Sequence, residues 1–272
     1  MSTVGTELSE FERRLLAAGI DPYSPKYIYR QIFGTLMKGH HQTWPKIDLA
    51  ELRALNPETL GWIHMEGSPI NYPVVKGHPG DPAYYLIHNF SRELSFHGAV
   101  SLDGDNSGML TDRMTLLGAH HMKDASMFFA VSMLFNPDYY ETHRGFDLLL
   151  DDGMHHANFF AVHYTNSEDP EPVRKTFESD GDFSAWLEER RRRALYPTAV
   201  IPTVRDRVIA LETCTCTPDP NDWRDRIVAY AVVEPRSCNL SRARAYTSQK
   251  CGIIHTTTNA FWSADAAQRV LR

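Results

Sequence analysis

Cysteine is scarce and comes late. The 272 residues hold four, Cys214, Cys216, Cys238 and Cys251, too few for a fold held together by disulfides. Cys214 and Cys216 are spaced C-x-C, not the C-x-x-C of common zinc knuckles. Cys238 and Cys251 stand in a polar stretch, where a disulfide and two spare thiols are both open readings. Long hydrophobic runs are missing too. Spanning a bilayer takes about 20 apolar residues. The longest candidate, residues 125–135, is shorter and includes Ser126 and Ser132. The opening segment carries Glu7, Glu10 and Glu12 and lacks an apolar signal core. Positive charge is not in excess: 28 Lys and Arg against 34 Asp and Glu give a net charge of −6, which argues against a broad nucleic-acid surface. The phosphate loops G-x-x-x-x-G-K-[ST] and G-x-G-x-x-G, the nucleophile elbow G-x-S-x-G and the zinc motif H-E-x-x-H are all absent.

What is there is ordinary globular material, with 42% hydrophobic and 23% charged residues. A chain of this size buries about three quarters of its unfolded surface and needs no staple. The first sixty residues read as helices. Ser9 and Glu12 form a capping box, Leu8, Phe11 and Leu15 share a face, and Gly19 is a stop. Ser24-Pro25 opens a second helix carrying Ile28, Ile32 and Leu36. A third runs from Asp48 to about Leu55, before Pro57. From Leu60 the pattern turns to short strands at about 61–65, 70–75, 98–102, 114–118, 146–150, 156–164, 207–213 and 226–234. Eight short strands with turn signals between them suit a closed all-β architecture. Helical patterns interrupt them at 123–134 and 182–195, the latter with Phe183, Trp186 and Leu187 on one side. Residues 235–272 read as a polar tail. The expected division is a helical segment over 1–59, a β-barrel over 60–234 and an appendage over 235–272.

Histidine is plentiful, at 13 residues, but the adjacent pairs His40-His41, His120-His121 and His155-His156 would point to opposite faces of a strand. No metal site and no cofactor are expected. Of the common nucleophile arrangements, a cysteine paired with a histidine remains. Cys214 follows the apolar run 208–211 and two polar residues, so it stands at a strand end beside a loop. If the loop 215–225 closes a hairpin, the Arg226 guanidinium comes near the Cys214 sulfur. A cation there favours the thiolate and can hold an oxyanion. His120 also sits at a strand end. Taken singly, a strand cysteine is more often a buried hydrophobe and a lone histidine is more often structural.

Together these segments resemble the class B sortases. The likeness runs over about 48–234 and rests on six segments in order. They are G-W-I-x-x-x-G-S-P-I-N-Y-P-V-V from Gly61, Y-Y-L-I-H-N-F from Tyr84, G-A-V-S-L-D from Gly98, H-x-M-K-D-x-S-M-F from His120, L-x-T-C ending at Cys214, and R-I-V from Arg226. The resemblance implies an eight-stranded sortase-type barrel with leading helices and a helical insert between strands six and seven. It implies a cysteine transpeptidase in which Cys214 attacks a sorting signal after Thr, His120 moves protons and Arg226 orients substrate. Glu212 and Thr213, beside the cysteine, would contact substrate. The implied partners are the sorting signal of a secreted protein and an amine from cell-wall precursor or pilin. The implied place is the cell surface, with membrane attachment through an anchor absent from these residues.

The sequence departs from the family pattern at three points. Gly118-Ala119 stand where Tyr-Gly is usual. Glu212 stands where Ser is common. Arg224 and Arg226 both lie near the arginine position, and the apolar run that follows favours Arg226. Two other readings remain: a papain-type thiol hydrolase, whose cysteine would precede its histidine, and a silent peptide-binding barrel.

Overall fold

Alternating apolar runs become strands in a computed structural model that describes residues 47–214 and 225–234. The chain runs through helix α1 (Leu49–Leu55), strands β1 (Thr59–His64) and β2 (Asn71–Lys76), the single turn α2 (Tyr84–Ile87), and strands β3 (Val100–Leu102) and β4 (Met114–Gly118). Short helices α3 (Phe129–Ser132) and α4 (Pro137–Thr142) follow, then β5 (Gly145–Leu150), β6 (Gly153–Asn166), α5 (Asp180–Arg192), β7 (Val208–Cys214) and β8 (Asp225–Val233). The strands close a barrel in the order β1-β2-β3-β4-β7-β8-β6-β5. Pairings β2–β3 and β4–β7 are parallel, and the rest are antiparallel.

All eight strands stand where the sequence pattern puts them, and the insert helix lies between strands six and seven. The helices read before Asp48 and the tail after Glu234 lie outside the described residues, as do Cys216, Cys238, Cys251 and Arg224. Asp48 caps α1, its Oδ1 accepting from Ala50 N at 2.8 Å. Gly61 is demanded by packing, because a Cβ there would stand 2.5 Å from the Leu149 carbonyl oxygen.

One expected helix is largely absent. Residues 123–134 read as helical, yet α3 begins only at Phe129, followed by a 3₁₀ turn at Met133–Phe135. Ala125 (φ 67°) and Met127 (φ 55°) are left-handed, a conformation that no right-handed helix passes through. Tertiary bonds hold that path. The Met127 amide donates to Tyr72 Oη at 2.9 Å, and the Phe128 amide donates to the His120 carbonyl at 2.9 Å.

The barrel has two apolar layers. Ile209 and Leu211 of β7 and Ile227 and Ala229 of β8 face inward and are fully buried. On the outer face, Val208, Ala210, Val228 and Tyr230 form a second cluster with Phe183, Trp186 and Leu187 of α5. Ser179 caps α5, its Oγ accepting from Asp182 N at 3.1 Å. Among the described residues, no helix is long and apolar enough to cross a membrane.

Candidate active site

Strand alternation positions the cysteine. Residues two apart share a face, so Glu212 and Cys214 lie on the same outer face of β7 as Val208 and Ala210. The helix covers the first two, while Glu212 and Cys214 are only partly buried. Cys214 pairs across the ladder with Arg226, and Glu212 pairs with Val228. The hairpin expected from the sequence is therefore formed, with thiol and guanidinium on neighbouring strands and on one face.

Parallel pairing brings the histidine to the same level. Gly118 of β4 sits beside Glu212 of β7, and two residues further along each strand lie His120 and Cys214. The turn there is pinned from several sides. The Ala119 amide donates to the Glu212 carbonyl at 3.3 Å, and Thr213 Oγ1 donates to the Ala119 carbonyl at 2.9 Å. His120 Nε2 donates to the Leu86 carbonyl at 2.7 Å. A carbonyl only accepts, so Nε2 carries a proton and Nδ1 is the ring nitrogen left to exchange one. Phe96 lies nearly parallel to the imidazole, at 6° with centroids 6.1 Å apart, although its own side chain is largely exposed.

The electrostatics follow from this arrangement. His120 is raised above the ordinary imidazole range, first by its hydrogen bond with Cys214. Burial and the Arg226 charge oppose that, and the Leu86 carbonyl adds to it. Burial pushes the Cys214 thiol up, but bonds from His120 and the His121 backbone, with the Arg226 charge, bring it below the ordinary thiol value. The two shifts point the same way, toward thiolate and imidazolium. Arg226 is itself held: Nη1 donates to the Asp225 carbonyl at 3.1 Å, and Nε lies 3.6 Å from Glu212 Oε1. Glu212 is raised by burial and by Asp103, against the pull of Arg226 and Lys175.

The structure thus brings His120, Cys214, Arg226 and Glu212 together. Thr213 is placed otherwise. Its side chain faces the interior, is 3% exposed and is spent on the Ala119 carbonyl, because alternation turns the neighbour of an outward cysteine inward. It braces the histidine turn and faces away from the side on which Cys214 and Glu212 lie. Sequence reasoning missed Leu86 and Phe96. A main-chain acceptor leaves no mark on its residue type, and a ring far along the chain has no spacing to the histidine. Among the described residues, no cluster of three or more His, Cys, Asp or Glu could hold a metal ion.

No family model matches the chain. Sortase B of Staphylococcus aureus is 30% identical over 185 residues, 68% of this chain and 74% of that protein. The chain belongs to the sortase B family. A solved sortase B–substrate complex from S. aureus superposes with TM-score 0.62 at 27% identity, covering 83% of this chain and 99% of that one. A sortase B complexed with triglycine gives TM-score 0.61 at 26% identity, with 83% and 99% covered. The mainly β closed barrel and the sortase-type cysteine transpeptidase activity expected from the sequence both stand. The papain-type and silent-barrel readings fall away.

Proposed function

We propose that this sortase cleaves a C-terminal sorting signal after Thr and passes the acyl group to an amine, using Cys214, His120 and Arg226. The observation that carries the reading is the shared outer face of β7 and β8. Cys214 lies directly across from Arg226, and His120 and the thiol act on each other, the imidazole raised and the thiol lowered. The thiolate attacks the scissile carbonyl, forming the C–S bond, and negative charge gathers on the carbonyl oxygen. The Arg226 guanidinium, with donors already oriented, stabilises that oxyanion. As the C–N bond breaks, the His120 imidazolium gives its proton to the departing amine. An incoming amine then attacks the thioester, His120 takes its proton, and Cys214 leaves as thiolate. Electrons and protons balance with no external reductant or metal.

The substrate and triglycine complexes of the relatives support a signal peptide and an amine as the two partners here. The acceptor amine belongs to a cell-wall precursor or a pilin, and the site of action is the outer cell surface. Glu212 lines the groove beside the acyl centre. The decisive experiment is a mass-spectrometric screen of pentapeptide signals. One or more should leave an acyl adduct on Cys214, and Cys214→Ala should leave none. Cleavage by the Cys214→Ala protein would overturn the mechanism.

A further inference from the structure

Glu212 sits among charges from three other parts of the chain. Arg226 reaches it from β8 at 3.6 Å. Asp103, just past β3, and Lys175, from the insert before α5, both act on its carboxyl. Lys175 Nζ in turn lies 2.9 Å from Asp103 Oδ1 and 3.6 Å from Asp105 Oδ2. The charges therefore alternate in sign, from guanidinium to carboxylate to ammonium to carboxylate. The pair is sheltered, with side-chain exposures of 20% for Arg226 and 23% for Glu212, so water and salt screen it less than a surface pair. Gly118, the strand neighbour of Glu212 on β4, contributes no side chain, and a Cβ there would meet nothing within 4 Å.

We propose that Glu212 is a positioning residue: its carboxylate holds the Nε edge of Arg226 and so sets the plane in which the guanidinium meets the acyl group on Cys214. The role rests on the transpeptidase reading of the site. An arginine on a long stem has many rotamers, and its fork is useful only when fixed. Oxyanion donors act at about 2.7–3.1 Å from the oxygen, and small displacements are costly. Asp225 fixes Nη1 through its carbonyl, and Glu212 fixes Nε. The groups facing the carboxyl are Arg226 and Tyr230 on β8, Asp103 after β3 and Lys175 in the insert. Burial leads among the effects on it and raises it. Glu212 therefore loses its charge earlier than an exposed glutamate as pH falls, and its hold on Arg226 loosens with it.

The test is steady-state cleavage of a signal peptide by the parent, Glu212→Gln and Glu212→Ala, each also combined with Arg226→Lys. Glu212→Ala should lower kcat roughly 10-fold with KM within about 2-fold, a loss smaller than that of a whole oxyanion donor. Glu212→Gln should keep more of the rate than Glu212→Ala, because its amide oxygen still presents a partial negative charge to Nε, and its acid limb should flatten because it cannot titrate. In the Arg226→Lys background, which has no Nε edge, Glu212→Ala should cost less than about 2-fold, the mark of coupled residues. Equal losses in both backgrounds would overturn the proposal. So would an unchanged kcat, or a KM change that follows the charge of the peptide. Thermal melts and Cys214 alkylation of each variant separate loss of fold from loss of position, and the Glu212→Gln pH profile reads the role without a cavity. A parent that forms no acyl adduct on Cys214 would sink the transpeptidase reading itself. A parent that forms it while Glu212→Ala matches its kcat would sink only the positioning role.

Discussion

Thr213 and Cys214 are neighbours with opposite surroundings. One side chain is sealed inside the barrel and braces the histidine turn; the other faces the groove. For Cys214 the measurable consequence is its titration. Burial alone would raise the thiol, and the His120 bond and Arg226 charge outweigh it. The pH midpoint of Cys214 alkylation, read by peptide mass spectrometry, should lie below the ordinary thiol value. His120→Ala should move it upward, because the largest lowering contact is removed, and Arg226→Ala should move it upward too. A midpoint unmoved by His120→Ala would contradict the influence of the imidazole on the thiol. In the same variant kcat/KM should fall by about 10²–10⁴-fold, the usual worth of positioned proton transfer. Cys214 and His120 were legible as candidates because thiol and imidazole are reactive groups and the segments that hold them are local. The Leu86 carbonyl and the Phe96 ring were not, because each reaches His120 only through the fold.

At the scale of elements, helix α5 is the clearest reading from sequence. Phe183, Trp186 and Leu187 fall on one face, and that face covers β7 and β8. Trp186 is 3% exposed, and its Nε1 donates to the Glu171 carbonyl at 2.8 Å. Trp186→Ala should cost about 3–5 kcal/mol in urea unfolding, the range for a buried large aromatic. Beneath the same helix, His163 of β6 donates from Nε2 to the Arg190 carbonyl. Burial, reinforced by the Arg190 charge, pushes it down from 6.5 to about 4. A histidine held neutral in the fold is protonated first in the unfolded chain. Stability therefore falls as pH drops from about 6.5 toward 4, by up to about 3 kcal/mol for this group. The urea midpoint should drop over that interval, and the drop should be shallower in His163→Gln. The segment 123–134 marks where element reading ended. Its composition permits a helix, but the bonds that turn Ala125 and Met127 left-handed come from β2 and from the histidine turn. Those partners are not adjacent in sequence.

At the scale of the whole molecule, strand positions were legible because period-two alternation and turn residues are local signals. Strand order was not. The order departs from a simple meander at the β4–β7, β8–β6 and β5–β1 pairs, two of its ladders, β2–β3 and β4–β7, are parallel, and no local pattern encodes any of this. The ladder β4–β7 has a kinetic side. The Thr213 hydroxyl and the Ala119 carbonyl it bonds are 94 residues apart in the chain, so bringing them together closes a long loop. Contacts of that separation slow folding, since loop entropy is lost before they can compensate it. Far-ultraviolet ellipticity should therefore return ahead of the fast-alkylating state of Cys214 during refolding from urea. Cys214 thus doubles as a clock for its own barrel: a newly made chain stays chemically quiet until its most distant strands have met.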